Sequence, residues 1–303
     1  MEIPVKYMLT DLIKSKTKDG KPFFRAIMCD KEGSRKNGIM FESDKLDFEP
    51  ENGQIVEAIG VLQTYSGQEQ LKINSLRLII DADPADFLPK KAGLDPEVLF
   101  AELTEILIEN INDEHLTQLL DAFLSDNNSV ALFKKMPAAK SVHHAYMSGL
   151  LEHTLSMVKI SVMLGDFYKD TVNKEHLLIG ALFHDIGKIK ELQAGTGLEY
   201  TDSGKLLGHL VLGVELMNSY ISGINGFPDE LKYLLNHLIL SHHGQLEFGS
   251  PKKPKTPEAF ILHHLDDMDA KLNTFNSIFE KEGTEKGWSG YDRLLERKLF
   301  KHM

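Results

Sequence analysis

The stretch ALFHDIGKIK at residues 181–190 places two polar residues, His184 and Asp185, side by side in a largely apolar run. Such runs are usually buried, and a buried polar group without a partner costs about 1–3 kcal/mol. Imidazole nitrogens and carboxylate oxygens are ligands that suit Mn²⁺, Fe, Zn²⁺ or Co. The pair therefore indicates a metal site within a helical domain.

Five further candidate ligands occur in apolar segments of helical spacing on either side of this pair. They are His153 in GLLEHTL, His209 in GKLLGHL, His242 and His243 in LILSHHG, and Asp266 in ILHHLDDMDA. A single histidine on an apolar helix is more often a core or surface residue than a ligand. The joint pattern favours a metal site, because several coincident burials of unpaired polar groups would be costly.

The composition is that of a globular protein with a sizeable core. Of the 303 residues, 42% are hydrophobic and 26% are charged, and no apolar run approaches the roughly 20 residues that span a bilayer. The start, MEIPVKYMLTDLIK, lacks the apolar segment of a secretory signal, so a cytoplasmic location without membrane association is expected. The single cysteine, Cys29, excludes an intrachain disulfide and a cysteine-based zinc site.

The charge distribution is uneven along the chain. A net charge of −11 argues against a protein that coats nucleic acid by bulk electrostatics. Residues 1–40 nevertheless carry nine Lys or Arg against five Asp or Glu. A basic run of this size is either a solvated face or a binding surface, and the sequence pattern alone leaves both open.

The hydrophobic pattern predicts two domains. From residue 5 to about 80, short runs with apolar residues at every second position alternate with turn signals, which is typical of a small β-barrel, and the OB-fold is the expected form. From about residue 95 the apolar spacing is helical, which predicts an all-α bundle of six or seven helices. The expected boundaries are a barrel domain at 1–85, a linker at 86–97 and a helical domain at 98–303.

The ordered set of histidines and aspartates resembles the HD-domain superfamily of metal-dependent phosphohydrolases. The match includes the extended HDxGK form at residues 184–188. The resemblance implies two divalent ions, with Mn²⁺ expected and Co²⁺, Fe or Mg²⁺ as alternatives. It implies the following ligands: His153, His184, Asp185 and Asp266 for one ion, with Asp185 bridging to a second ion held by His209 and by His242 or His243.

Three residues are candidates for catalysis: the ligand Asp185 and two neighbours of the ligands, Lys188 and His144. Asp185 has two carboxylate oxygens and so can span two ions. Lys188 lies one helical turn after Asp185, where it either reaches a substrate phosphate or is a solvated lysine. His144, in HHAY before His153, either faces the same cleft or packs against the helix start. Asp269 shares a helix face with Asp266 and is expected to support the ligands from outside.

The whole chain is similar to the YhaM family of 3′→5′ exoribonucleases, on the strings YSGQEQLKINSLR at 65–77 and PAAKSVHHAYMSGLLEHTLSM at 137–157. The resemblance implies that the barrel grips single-stranded RNA and that the HD domain removes nucleotides from its 3′ end. Single-stranded DNA as a further substrate and a homo-oligomer stay open. Two alternatives are a phosphohydrolase of small nucleotides, with the barrel serving regulation or assembly, and a non-enzymatic binding protein.

Single-strand binders combine a basic groove with exposed aromatic side chains on which bases stack. For stacking we expect Tyr65 and one of Phe23 and Phe24, of which Phe24 is selected. The expected phosphate contacts are Lys21, Arg25, Lys72 and Arg77.

Overall fold

The computed structural model describes residues 4–65, 68–82, 84–88, 90–91, 93–139, 146–194, 198–283, 285–292 and 295–302. The chain divides into two compact units. The first comprises residues 1–93 and 192–200, and the second comprises residues 94–191 and 201–303. Residues 192–200 thus group with the first unit, although the sequence pattern placed them in the second domain.

The first unit contains a closed barrel of five strands, so the expected β-rich N-terminal domain is confirmed. The strands are β1 (Val5–Lys16), β2 (Pro22–Cys29), β3 (Arg35–Phe41), β4 (Ile55–Tyr65) and β5 (Gln68–Ile79). Their order around the barrel is β1-β2-β3-β5-β4, and pairing of β1 with β4 closes it. Strands β3 and β5 are parallel, and the other neighbours are antiparallel.

Alternating side chains of these strands fill the barrel. Leu9, Phe24, Met28 and Val56 are fully buried, as the period of two along a strand requires when one face meets a core. The register shifts by one residue between Ile59 and its successor in β4, where the two strands β4 and β5 approach closely. A Cβ atom at position 60 would lie 2.4 Å from a backbone oxygen of β5, which explains the glycine there.

The second unit is mainly helical. Its helices are α1 (Pro96–Asn110), α2 (Glu114–Ser125), α3 (Asn127–Lys135), α4 (Gly149–Phe167), α5 (Lys174–Phe183), α6 (Lys188–Glu191), α7 (Asp202–Ile221), α8 (Asp229–Ser241) and α9 (Pro257–Lys281). Side chains of Asp, Asn or Thr cap the N-termini of α1, α2, α3, α5, α7 and α9 by accepting from backbone N–H groups. No helix among the residues named above is long and apolar enough to cross a membrane.

Helix α5 is the centre of this unit. Its residues from Leu177 to Phe183 are all buried, and it packs against α4, α8 and α9. Burial on every side explains why its sequence is almost continuously apolar rather than amphipathic. The C-terminal end of α5 therefore delivers the next residues, His184 and Asp185, into the interior.

The C-terminal part of the chain is not all-α, which corrects the sequence-based expectation. It contains two antiparallel hairpins, one formed by β6 (Leu192–Ala194) and β7 (Leu198–Tyr200), the other by β8 (Gly287–Asp292) and β9 (Arg297–Lys301). Strands of three residues are too short to show an alternating pattern, and a bulge interrupts the alternation in β8.

Candidate metal centre

The His-Asp pair lies in the turn that follows α5. The N–H of His184 still donates to the carbonyl of Gly180 at 2.8 Å, and that of Lys188 donates to the carbonyl of Asp185 at 3.0 Å. Between them, Gly187 packs against α7, where a Cβ atom would lie 2.0 Å from the backbone oxygen of His209. The glycine is therefore required for the turn to approach α7.

All seven predicted ligands converge on one region of the helical unit. They come from five helices or helix ends: His153 from α4, His184 and Asp185 from the end of α5, His209 from α7, His242 and His243 from the end of α8, and Asp266 from α9. The side chains of His153, His184, Asp185 and His242 are at most 3% exposed. The pattern of the sequence thus identified residues that are far apart in the chain and adjacent in space.

The first group of ligand atoms surrounds His153. Its Nε2 lies 3.1 Å from Nε2 of His184, 3.2 Å from Oδ1 of Asp266 and 3.9 Å from Oδ2 of Asp185. The same Asp185 oxygen lies 3.4 Å from Nε2 of His184. His153, His184 and Asp185 offer one ligand atom each within 4.8 Å of one another, a geometry that can hold a metal ion.

The second group consists of His209, His242 and His243, which also meet this criterion. The Nε2 atoms of His209 and His243 are 3.2 Å apart. Oδ1 of Asp185 lies 3.6 Å from Nε2 of both His209 and His242. Among the residues that the structure describes, this buried oxygen has no hydrogen-bond partner, so Asp185 faces both groups with an atom that can bind a cation.

The five imidazole rings are held from behind at Nδ1. The acceptors are Oδ2 of Asp269 for His153 (2.7 Å), the carbonyl of Ala181 for His184 (2.8 Å), Oε1 of Glu191 for His209 (3.2 Å), the carbonyl of Ile239 for His242 (2.8 Å) and the carbonyl of Phe248 for His243 (3.1 Å). Carbonyl and carboxylate oxygens only accept, so Nδ1 carries the proton in each ring. Every Nε2 atom is then turned toward the centre, as in metal-binding histidines.

The donor set fits a divalent cation. Burial and the charges of the nearby His242 and His209 lower the pKa of His243 to about 4, so this ring is neutral at pH 7. With its proton on Nδ1, the neutral His243 ring directs the lone pair of its Nε2 at Nε2 of His209 across 3.2 Å. A cation between these side chains would satisfy this lone pair and Oδ1 of Asp185. Burial lowers the pKa of His153, but Asp266 and Asp269 outweigh it and raise the pKa to about 9, which reflects the negative charge of the first group.

Lys188 is paired with Asp185 rather than solvated. Its Nζ donates to Oδ2 of Asp185 at 2.6 Å, and its side chain is only 12% exposed. Burial raises the pKa of Asp185, but the charges of Lys188 and His184 more than offset this effect and hold that pKa well below its usual range. Lys188 therefore keeps the Asp185 carboxylate ionised and places a positive charge at the edge of the centre.

Glu191 supports a candidate ligand, His209, in a way that the sequence pattern did not reveal. Its Oε1 accepts from both the backbone N–H of His209 at 3.0 Å and Nδ1 of the same residue at 3.2 Å. Burial raises the pKa of Glu191, but the bonds from His209 lower it more, so the side chain is ionised. The only signal was an acidic residue between the apolar Ile189 and Leu192, next to Lys190.

The remaining candidates around the centre differ in their roles. Asp269 supports His153 as expected and also accepts from the hydroxyl of Ser156 at 2.5 Å. Nδ1 of His263 lies 2.8 Å from the carbonyl of His242, so this ring braces the ligand loop rather than facing the metal centre. His144, together with its neighbour in HHAY, lies outside the described residues.

Comparison with known proteins gives the family. The profile described as HD domain matches residues 150–271. The 3′-5′ exoribonuclease YhaM of Listeria welshimeri is 34% identical over 279 residues, covering 90% of this chain and 86% of the relative. Those of Geobacillus sp. (strain WCH70) and Bacillus subtilis are 35% and 33% identical, with 95% of this chain covered and 91% and 94% of the relatives.

The chain belongs to the YhaM family. All seven proposed ligands fall within the profile match, which begins at Leu150 and ends at Lys271. Among solved structures, the second OB-fold domain of replication protein A from Methanococcus maripaludis covers 27% of this chain at 15% identity, with a TM-score of 0.22. The description of the barrel therefore relies on its own topology.

In this member of the YhaM family, the barrel has a cavity of about 600 Å³. Its lining residues are Asp11, Ile13, Arg25, Ala26, Ile27, Asn37, Gly38, Tyr65, Glu69 and Gln70. Two of the predicted nucleic-acid contacts, Arg25 and Tyr65, thus lie at one cavity, and Tyr65 is 62% exposed. The cavity combines a cation with an available aromatic ring.

The selection of Phe24 as a stacking residue is wrong. Its side chain is fully buried in the barrel core, where no base can reach it. Its neighbour Phe23 points the other way, and its ring centroid lies 5.7 Å from that of Phe41 and 5.7 Å from the guanidinium carbon of Arg25. The outward aromatic pair of the barrel is therefore Phe23 and Phe41.

The other predicted phosphate contacts are exposed but do not line the cavity. Nζ of Lys21 donates to Glu42 at 2.6 Å, and Arg77 donates to Glu57 at 3.0 Å. Exposed ion pairs of this kind contribute little free energy and exchange readily for other anions. Lys72 is exposed on β5, two residues after Gln70, which lines the cavity.

Proposed function

We propose that this chain is a metal-dependent 3′→5′ exoribonuclease that hydrolyses phosphodiester bonds of single-stranded RNA. The observation that carries the proposal is the position of Asp185, whose unpartnered Oδ1 lies 3.6 Å from two ligands of the second group while Oδ2 faces the first group. Membership of the YhaM family supports the direction of digestion and the choice of RNA.

Two divalent ions, with Mn²⁺ as the expected metal, fit the two groups. His153, His184, Asp185 and Asp266 would hold one ion. His209, His242 and His243 would hold the other, with Asp185 shared. Bound divalent ions supply Lewis acidity, which activates water and neutralises charge on a phosphate.

The protein's own residues prepare this chemistry. Asp269 and Glu191 fix the rings of His153 and His209 by accepting from Nδ1. Lys188 keeps Asp185 ionised, and its ammonium group would contact a phosphate that enters the centre. Together these residues hold the ligands in place before substrate arrives, so little reorganisation is needed during hydrolysis.

The barrel domain, assigned to residues 1–85, would grip the single strand. Its strand order and its parallel β3–β5 pairing fit an OB-fold. Tyr65 and Arg25 at the cavity would contact a base and a phosphate, and the Phe23–Phe41 pair offers a second stacking surface. The linker would lie at 86–97 and the hydrolase domain at 98–303.

Digestion of a 5′-labelled single-stranded RNA with Mn²⁺ tests the proposal. We expect the wild-type chain to shorten the RNA from its 3′ end and Asp185→Asn to lose this activity. Asp267→Asn is the matched control, because Asp267 lies next to a ligand but is exposed and pairs with Lys271 at 2.6 Å. Equal digestion by wild type and Asp185→Asn would contradict the proposal.

Substrate comparison decides between the two enzymatic hypotheses. Faster turnover of small nucleotides than of RNA would favour a nucleotide phosphohydrolase whose barrel serves regulation or assembly. RNA with a blocked 3′ end should resist digestion if the direction is 3′→5′. Cleavage of single-stranded DNA, a homo-oligomer and a cytoplasmic location stay predictions.

A further inference from the structure

The C-terminal hairpin carries an exposed aromatic face. Trp288 lies opposite Phe300 in the β8–β9 register, and Tyr291 lies opposite Lys298. Opposite residues share a face, and Lys298 and Phe300 are two positions apart, so all four side chains lie on one side of the hairpin. Trp288, Tyr291 and Phe300 are 69%, 61% and 51% exposed. We call these four residues the aromatic platform.

The other side of the hairpin is buried and anchored. Leu299 is only 4% exposed, and its N–H donates to the hydroxyl of Ser289 at 2.9 Å. The N–H of Gly290 donates to Glu282, just beyond α9, at 2.9 Å. Nζ of Lys301 lies 5.6 Å from the centre of the Phe279 ring on α9. The hairpin is therefore fixed at the end of α9 with the aromatic platform facing outward.

Helix α9 connects the aromatic platform with the metal centre. It carries the ligand Asp266 and ends at Lys281, 15 residues further on. At a rise of 1.5 Å per residue, this part of the helix is about 22 Å long. A polymer whose end occupies the metal centre can therefore extend over a second surface on the same unit, whereas a small nucleotide cannot.

The chemistry of the aromatic platform fits a single-stranded nucleic acid. The rings of Trp288 and Phe300 have centroids 5.0 Å apart, and both remain more than half exposed. Strand β9, RKLFK, has three cations and no acid, in a chain whose net charge is −11, and of these cations Lys298 lies on the side of the rings. Exposed rings interleaved with cations bind bases by stacking and phosphates by charge. The charge complementarity favours RNA over a second copy of this acidic chain.

We propose that the aromatic platform binds single-stranded RNA outside the metal centre. Bases stack on Trp288 and Phe300, and Lys298 contacts phosphate. The choice of RNA as the ligand rests on the proposed exoribonuclease function. The aromatic platform would retain the part of the strand that lies upstream of the 3′ end.

Trp288 is the only tryptophan in the chain, so its fluorescence reports on the aromatic platform alone. We would titrate the full chain with a short single-stranded RNA, with a chelator present to stop turnover. The expected result is a saturable quenching of emission. Phe300→Ala and Lys298→Glu should each raise the apparent Kd for RNA about tenfold. Tyr233→Ala is the matched control, since Tyr233 is 67% exposed on α8, and it should leave the titration unchanged.

Digestion in Mn²⁺ gives the second measurement. Phe300→Ala and Lys298→Glu should raise KM for long RNA about tenfold and leave kcat unchanged. Emission that does not respond to RNA, or that follows protein concentration as in self-association, would overturn the inference. A chain that quenches with RNA but fails to digest it would refute the exoribonuclease function and leave the aromatic platform standing, so the two failures are distinguishable.

Discussion

One carboxylate oxygen of Glu191 accepts from two groups of His209, the backbone N–H at 3.0 Å and the ring Nδ1 at 3.2 Å. This double contact fixes both the position of the residue and the tautomer of its ring. A carboxylate behind a ligating imidazole also strengthens the ligand. Loss of this charge should therefore weaken metal binding at the second group.

The first prediction concerns Glu191→Gln. The amide keeps the size of the side chain but removes its charge, so we expect Mn²⁺ affinity to fall about 10- to 100-fold. Activity should partly recover at high Mn²⁺ concentration. Metal titration followed by RNA digestion measures both effects. Glu215→Gln, at an exposed position of α7, serves as the control, and an unchanged Mn²⁺ affinity in Glu191→Gln would contradict the role.

The second prediction concerns the close contact at Gly187. A Cβ atom at this position would lie 2.0 Å from the backbone oxygen of His209, and backbone cannot move aside as a flexible side chain does. We expect Gly187→Ala to cost at least about 2 kcal/mol in the free energy of unfolding. Urea denaturation measures this loss.

Gly223→Ala provides the comparison for Gly187→Ala. A Cβ atom at Gly223 would meet only the carbonyl of Tyr220, at an ordinary contact distance of 3.4 Å. This change should alter the free energy of unfolding by no more than about 0.5 kcal/mol. Similar losses of unfolding free energy in the two variants would show that the close approach of the turn to α7 does not cause the destabilisation by Gly187→Ala.

The cluster of candidate ligands was predictable because the order of these residues along the chain repeats a known pattern in apolar helices. Glu191 was not, because α6 has only four residues and shows no periodicity from which a buried face can be inferred. The hairpin β6–β7 was missed for the same reason, since a three-residue strand gives no alternation. Periodicity in the sequence therefore identifies long helices and fails for elements of three or four residues.

Phe24 shows a different limit. Of two adjacent phenylalanines in a strand, one faces the core and the other faces away. The sequence of the strand alone does not say which is which, because either choice preserves the period of two. The register of β2 with β3 decides it, as Phe24 opposes the buried Met40 and Phe23 opposes the exposed Phe41. That information is tertiary and lies outside the segment itself.

The third prediction separates two roles of Lys188. If its ammonium group contacts the substrate phosphate, Lys188→Gln should lower kcat about 100-fold at saturating Mn²⁺, as expected for loss of one charge-stabilising donor. If it only balances the charge of Asp185, saturating Mn²⁺ should restore kcat. We expect the first result. Lys190→Gln, at an exposed position on the same short helix, is the control in steady-state digestion assays.

The fourth prediction concerns the cap of α3. Asp126 accepts from the backbone N–H of Ser129 at 3.1 Å, from its hydroxyl at 2.7 Å and from Tyr220 at 2.9 Å. The bonds from Ser129 lower the pKa of Asp126. Asp126→Ala should cost about 1–2 kcal/mol at pH 7, measured by urea denaturation.

The lowered pKa gives this effect a pH dependence. A carboxylate whose pKa is lower in the folded state stabilises above its unfolded pKa, about 3.9, and loses that contribution as pH falls through the folded pKa. The difference between wild type and Asp126→Ala should therefore shrink below pH 4. Asp121→Ala, at an exposed position of α2, should show no such trend, and a constant difference for Asp126→Ala would rule out the charged form as the stabilising one.

The fifth prediction uses the adjacent pair in β2. Phe24→Ala removes a fully buried ring from the barrel core, so it should destabilise the protein by about 3–5 kcal/mol. Phe23→Ala removes an outward ring beside Phe41 and Arg25, so it should weaken RNA binding by about 1–3 kcal/mol with little effect on unfolding. Thermal denaturation and RNA binding of both variants measure the two effects. Weaker RNA binding by folded Phe24→Ala with unchanged binding by Phe23→Ala would reverse the assignment of the two faces.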